Sequence, residues 1–262
     1  MRALSIGATG MGAQQLNVEV ISNNIANLST TGFKRSRAEF QDLLYQNMRS
    51  VGSASSDTGT ILPAGLQVGL GVKPAATYRI YGQGNLIVTN NPLDLAINGN
   101  GFLQVQLPDG TTAYTRDGSL QLNQTGQIVT QDGYQILPAI TVPTTATAIT
   151  INASGQVLAS IAGQTNQQTL GQLTMASFIN PVGLDAMGQN LLKETQASGT
   201  PITGNPQTNQ FGSLVQGSLE TSNVDIVSEI TSLITAQRAY EMNSKVINTA
   251  DQMLSTANQM KS

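Results

Sequence analysis

Residues 226–254 read IVSEITSLITAQRAYEMNSKVINTADQML and place Ile226, Leu233, Tyr240, Ile247 and Leu254 at strict sevens. Heptad spacing holds an apolar row on one side of a helix and predicts a helix that packs along that row. Ala236, Ala250 and Ala257 each follow a member of the row by three residues, so a second, narrower row runs beside the first. The helix is expected to begin near residue 223. Ser222 with Asp225 three residues on has the form of a capping box, the hydroxyl accepting an orphan N–H and the carboxylate reaching back.

The other end of the chain carries the same signal. Leu4, Met11, Val18 and Ile25 stand at sevens, with Ile21 and Leu28 in a second row, and a helix is expected over residues 3–28. Gly7 and Gln14 interrupt the second row, which should weaken the first turns. Residues 1–33 contain two charges, Arg2 and Glu19, so the face away from the seam is built of amides, Ser and Gly. A solvated helix face normally carries charge. Two readings stay open: the terminal helices pair as a hairpin inside a monomeric core, or their uncharged faces meet neighbouring copies or line a channel.

Between the helices the period changes to two. Leu103, Val105 and Leu107 alternate with polar residues, as do Leu120 and Leu122. Turn signals at Asp109-Gly110, Asp117-Gly118, Gln124–Gly126 and Asp132-Gly133 divide the strands into hairpins. Two stretches, 46–72 and 195–217, have linker composition, but the first also holds Ile61, Leu62, Pro63, Leu66, Val68 and Leu70 and is too apolar to be a free loop. The fold class expected is α+β. Residues 1–33 and 223–262 form a coiled-coil domain, 34–75 an extended linking segment, and 76–222 a central all-β domain with an extended return.

Composition narrows the chemistry. The 262-residue chain has 12 basic and 15 acidic residues, and its charged fraction of 10% lies far below the roughly 25% of soluble domains. Interface centres are depleted of Lys, Glu and Asp, so the shortage points to assembly. A net charge of -3 offers no field for nucleic acid or anionic lipid. With no Cys and no His, thiol nucleophiles, imidazole bases, disulfides and Cys/His zinc sites drop out. No apolar run is long enough to span a bilayer, and residues 3–13, rich in Gly, Ser and Thr, do not read as a cleaved signal peptide.

Three candidate sites are weak. Each Asp of the Asp-Gly pairs stands alone, without the alternating carboxylates of a calcium loop. AINGNGF at 96–102 has a Gly-x-Gly but neither the third glycine nor a following helix pattern of a dinucleotide fold, and its glycines read as a tight strand connection. Lys34, Arg35 and Arg37 follow the first helix and read as complements to its negative end, since no aromatic pattern surrounds them. No catalytic site, cofactor or metal is expected.

Asn24–Lys34, NIANLSTTGFK, resembles the signature of the rod and hook axial proteins of the bacterial flagellum, with Ala26, Asn27, Thr30, Gly32, Phe33 and Lys34 matching its pattern. LDLAINGNGF at 93–102, the segment 114–137 that starts YTRDG and ends VTQDGYQIL, and LETSNVD at 219–225 are similar to the same family in the same order. Within it, the run 45–72, and GTILPAGLQVGLGV above all, resembles the distal-rod branch, with proximal rod or hook as the alternative. The resemblance implies a self-polymerising, hollow rod subunit that carries torque across the periplasm. Its implied neighbours are proximal rod and hook proteins and the surrounding P- and L-rings, and export runs through the flagellar type III apparatus without a cleaved signal. Leu4, Met11, Val18, Ile21, Ile25, Leu28, Ile226, Leu233, Tyr240, Ile247 and Leu254 are the expected assembly seam, and residues 46–72 a segment that stiffens the rod. A coiled-coil-flanked adhesin and a His-free β-domain enzyme are the competing classes.

Overall fold

In a computed structural model of the chain, the described residues are 2–49, 64–164, 166–208 and 210–260. The class is α+β: one helix at each end, α1 (Arg2–Ala26) and α2 (Ile226–Gln259), and strands between. The chain divides into two compact units. One comprises Met1–Ile25, Ser36–Tyr78 and Ile226–Ser262, the other Ala26–Arg35 and Arg79–Asp225.

The first unit holds the two helices and two short antiparallel ribbons. Strand Ser36–Asp42 pairs with Val72–Arg79, and Tyr45–Arg49 pairs with Leu66–Gly69 in the register Tyr45↔Gly69, Gln46↔Val68. The junction between the two ribbons is anchored on α1. Gly71, at φ 123°, brings its backbone against the Thr9 side chain, the Val72 N–H donates to Thr9 Oγ1 at 3.4 Å, and the Leu43 N–H donates to Gly71 O at 2.8 Å. Any side chain at 71 would both strain the backbone and displace Thr9.

The second unit is built on a nine-stranded sheet of antiparallel pairs. Its central strand, Phe102–Gln106, pairs with Thr112–Thr115, Gln135–Leu137 and, through its first residues, Met175–Ser177. Alternation sends Leu103 and Val105 into the main core with Leu95, Ile97, Ile136 and Met175. Phe102 points the other way into a smaller cluster with Tyr114, Phe178 and Leu192, so both faces of this strand are covered. The aromatic rings there meet edge to face, with centroids 4.8 Å apart for Tyr114 and Phe178.

Two details differ from the sequence pattern. Leu120 is buried but Leu122 is 40% exposed, because its two-residue strand Gln121–Leu122 lies at the edge of the sheet and no further strand covers it. Ser222 does not cap the first turn of α2, which begins at Ile226. Its hydroxyl accepts the Val224 N–H at 3.3 Å, within the approach to the helix.

Candidate functional site

Two features gather the residues that sequence reasoning singled out. The first is the helix pair. Gly7 faces Ile247, Gly10 faces Asn243, and Asn24 Nδ2 donates to Glu229 Oε2 at 3.2 Å, so numbers rise along α1 as they fall along α2 and the helices run antiparallel. A Cβ on Gly7 would lie 2.9 Å from Ile247 Cγ1, and one on Gly10 2.9 Å from Asn243 Nδ2. Gly7 thus permits close approach between the helices, a role its effect on propensity does not announce.

Burial along the pair follows the narrow rows except at the end of α2, where Ala257 is exposed. Ala236 and Ala250 are 2% and 7% exposed and Ile21 is buried, whereas Ile226, Tyr240 and Leu254 of the large apolar row are 43%, 42% and 40% exposed. Leu4, Met11, Val18, Ile25, Leu233 and Ile247 lie between these extremes, whereas Leu28, expected in the second row, stands past the end of α1 at Ala26. Small residues let the two helices meet, and part of the wide apolar row stays uncovered in the single chain. Asn24, absent from the expected seam, is buried: besides Glu229 it donates to Ser36 O and accepts the Ser36 N–H, each at 2.8 Å.

The second feature is a buried ion cluster in the β unit. Lys34 Nζ lies 2.6 Å from Glu220 Oε1, and Arg116 Nε 2.9 Å from Glu220 Oε2, with all three residues buried. Glu220 Oε1 also accepts the Gly84 N–H at 2.8 Å, Lys34 donates to Gly82 O at 2.8 Å, and Arg116 Nη2 donates to Gly99 O at 2.8 Å. The four segments that resemble the family as a whole all enter this cluster, 24–34 through Lys34, 93–102 through Gly99, YTRDG through Arg116 and LETSNVD through Glu220, whereas the run 45–72 contributes no residue to it. Lys34 therefore pairs with a carboxylate far along the chain, not with the end of α1. Glu220 and Arg116 had no local signal beyond lying inside quoted motifs.

The remaining motif residues shape the turn that delivers Lys34. Thr30 Oγ1 donates to Asn27 Oδ1 at 3.1 Å and the Phe33 N–H to Thr30 O at 3.3 Å, while Ala26 is exposed at the end of α1. Gly32 takes φ 67° against the Arg116 backbone and donates its N–H to Glu220 O at 2.8 Å. A Cβ at 32 would stand 2.9 Å from the Arg116 carbonyl carbon, so the position excludes other residues on two counts. Of the segment expected to stiffen an assembly, Leu66 and Leu70 are exposed and Val68 half-buried; Ile61, Leu62 and Pro63 lie outside the described residues.

Titration in this unit has opposing signs. Burial, then the neighbouring guanidinium of Arg116, lowers the Lys34 ammonium from 10.5, partly offset by Glu220. Burial and the Glu194 carboxylate push the Tyr114 phenol from 10.0 up to about 12. Unfolded chains keep the Lys34 proton to higher pH than folded ones, so that group makes stability rise as pH climbs towards 10.5. Tyr114 acts oppositely: its contribution is fully present below pH 10.0 and is lost up to about 12, where only the unfolded phenol ionises. Urea midpoints should therefore fall between pH 10.5 and 11.5, and less steeply in Tyr114→Phe; identical slopes for both proteins would refute the assignment.

Among the described residues no group of three or more His, Cys, Asp or Glu side chains could hold a metal, and no helix is long and apolar enough to cross a membrane. Comparison with known proteins agrees with the motifs. Residues 4–34 match the family model described as flagella basal body rod protein, 96–159 the flagellar hook protein FlgE/F/G D1 domain, and 215–260 the flagellar basal body rod FlgEFG protein C-terminal. The flagellar basal-body rod protein FlgG of Caulobacter vibrioides is 58% identical over 262 residues, covering all of both chains. That of Borreliella burgdorferi is 49% identical over 100% of this chain and 99% of its own, and that of Bacillus subtilis 39% over 97% of each.

Proposed function

We infer the role of this chain from the family to which it belongs, that of the flagellar basal-body rod protein FlgG. It is a structural subunit of the bacterial flagellar basal body, an axial component that serves motility. Beyond that, our reading is that it polymerises into the hollow distal rod and transmits torque across the periplasm to the hook. Its neighbours there are copies of itself, the proximal rod and hook proteins and the P- and L-rings, and it arrives through the flagellar type III apparatus.

One observation carries the polymer reading: the exposed apolar row Ile226, Tyr240 and Leu254 on a helix whose Ala236 and Ala250 are already covered. Covering the exposed part of such a row gains a fraction of the about 1.5–3 kcal/mol that full burial of a large apolar side chain is worth. Residues 1–33 and 223–262 would then pack as coiled coils in the assembled rod, and the apolar residues of 46–72 would bridge successive subunits and stiffen it.

Concentrating the purified chain should raise its helix signal by circular dichroism and give straight rods by electron microscopy. Deleting 46–66 should leave rods that bend. A chain that stays monomeric at millimolar concentration contradicts the first expectation, and rigid straight rods from the deletion contradict the second.

A further inference from the structure

We propose that copies of this chain dock head to tail along α1, with Arg2 of one copy seated between Glu19 and Glu241 of the next. The inference rests on the polymer reading above and specifies one contact within it.

A groove of about 350 Å³ lies between the two helices, bordered by Gln15, Val18, Glu19, Gln237, Tyr240 and Glu241. It is apolar along Val18 and the half-exposed ring of Tyr240, with a carboxylate from each helix at its rim. Glu19 accepts a hydrogen bond from Gln15 Nε2 at 3.1 Å, and neither Glu19 nor Glu241 has an ion pair among the described residues. Two like charges sharing a groove repel, and covering the groove with an apolar surface would desolvate both. A cation between them removes both penalties, and Tyr240 offers it a ring face.

The chain itself holds the complement. Arg2 and Glu19 are the only charges in α1, opposite in sign and towards opposite ends. Arg2 is exposed and has no carboxylate partner among the described residues; its one described contact is a 3.5 Å approach to Met48 Sδ. Lys34 and Arg116 are consumed by Glu220. Glu19 stands seventeen positions after Arg2, roughly 25 Å along a helix axis. A second copy displaced by that distance brings its Arg2 to the groove of the first, with the exposed Ile6 beside it to cover the apolar floor. Such a contact joins two different patches, so it leaves each copy with one free patch and propagates instead of closing into a dimer.

The critical concentration for rods, read by sedimentation and electron microscopy of the full chain, tests the contact. Arg2→Glu alone, and Glu19→Lys with Glu241→Lys, should each raise it by about tenfold or more. The triple variant, which exchanges the signs, should return it to near the wild-type value. Thermal melting of the β unit should be unchanged in all three. Rods from the double glutamate variant at the wild-type concentration, or a triple variant no better than its parents, overturn the contact while leaving polymerisation standing. Absence of rods from the wild-type chain overturns polymerisation, and this contact with it.

Discussion

Glu220→Ala is expected to destabilise the β unit by about 3–5 kcal/mol, the loss found when one member of a buried ion pair is removed. A domain's whole stability is roughly 5–15 kcal/mol, so the variant should lose a large share of it. Glu220 is 1% exposed and is the one carboxylate between two buried cations. Without it the Lys34 ammonium keeps only the Gly82 carbonyl, Arg116 keeps its carbonyl partners but no countercharge, and the Gly84 N–H loses its acceptor. Solvent cannot take over, because the residues are packed against the chain's own backbone. Glu220→Gln keeps the shape and some acceptors and should fall between wild type and alanine. Urea unfolding followed by tyrosine fluorescence reads the effect. A midpoint shift worth less than about 1 kcal/mol in the alanine variant would show that the cluster is hydrated and of little consequence.

The two helices could be read from sequence because a heptad is a local pattern. Every residue needed to recognise it lies within two turns of the next. Which row would be buried could not be read the same way. Gly7 looks like a defect in α1 until Ile247, on the other helix, is found against it. The ion cluster was less accessible still. Lys34 is 186 residues from Glu220 and Arg116 is 104 residues from it, and no periodicity links positions that far apart. Lys34 and Arg35 next to a helix end have a sufficient local explanation, the helix dipole, and it is the wrong one for Lys34. The motifs carried the missing information only as coincidence of segments: each of the four resembling stretches contributes to one site. Leu122 failed for a simpler reason, since alternation states which face a residue points to and not whether anything covers that face.

Ile247→Asp and Leu254→Asp should both abolish rod formation, by different routes, and the comparison isolates the face that meets neighbours. Ile247 touches Gly7 within its own chain, so aspartate there places an unpaired charge inside the helix pair at a cost of several kcal/mol. Its helix signal should fall even in dilute solution. Leu254 is 40% exposed, and aspartate there can stay hydrated in the single chain, leaving dilute helix content as it was. If a neighbouring copy covers the row, that aspartate must be desolvated once per subunit on assembly. A penalty of about 3 kcal/mol raises the critical concentration more than a hundredfold. Both variants should leave the melting of the β unit unaltered, because neither residue belongs to it. Leu254→Asp is the sharper test: normal rods from it would mean that this end of the apolar row faces solvent in the polymer. Rods lost from Ile247→Asp alone would reduce the seam to the intramolecular pair of α1 and α2.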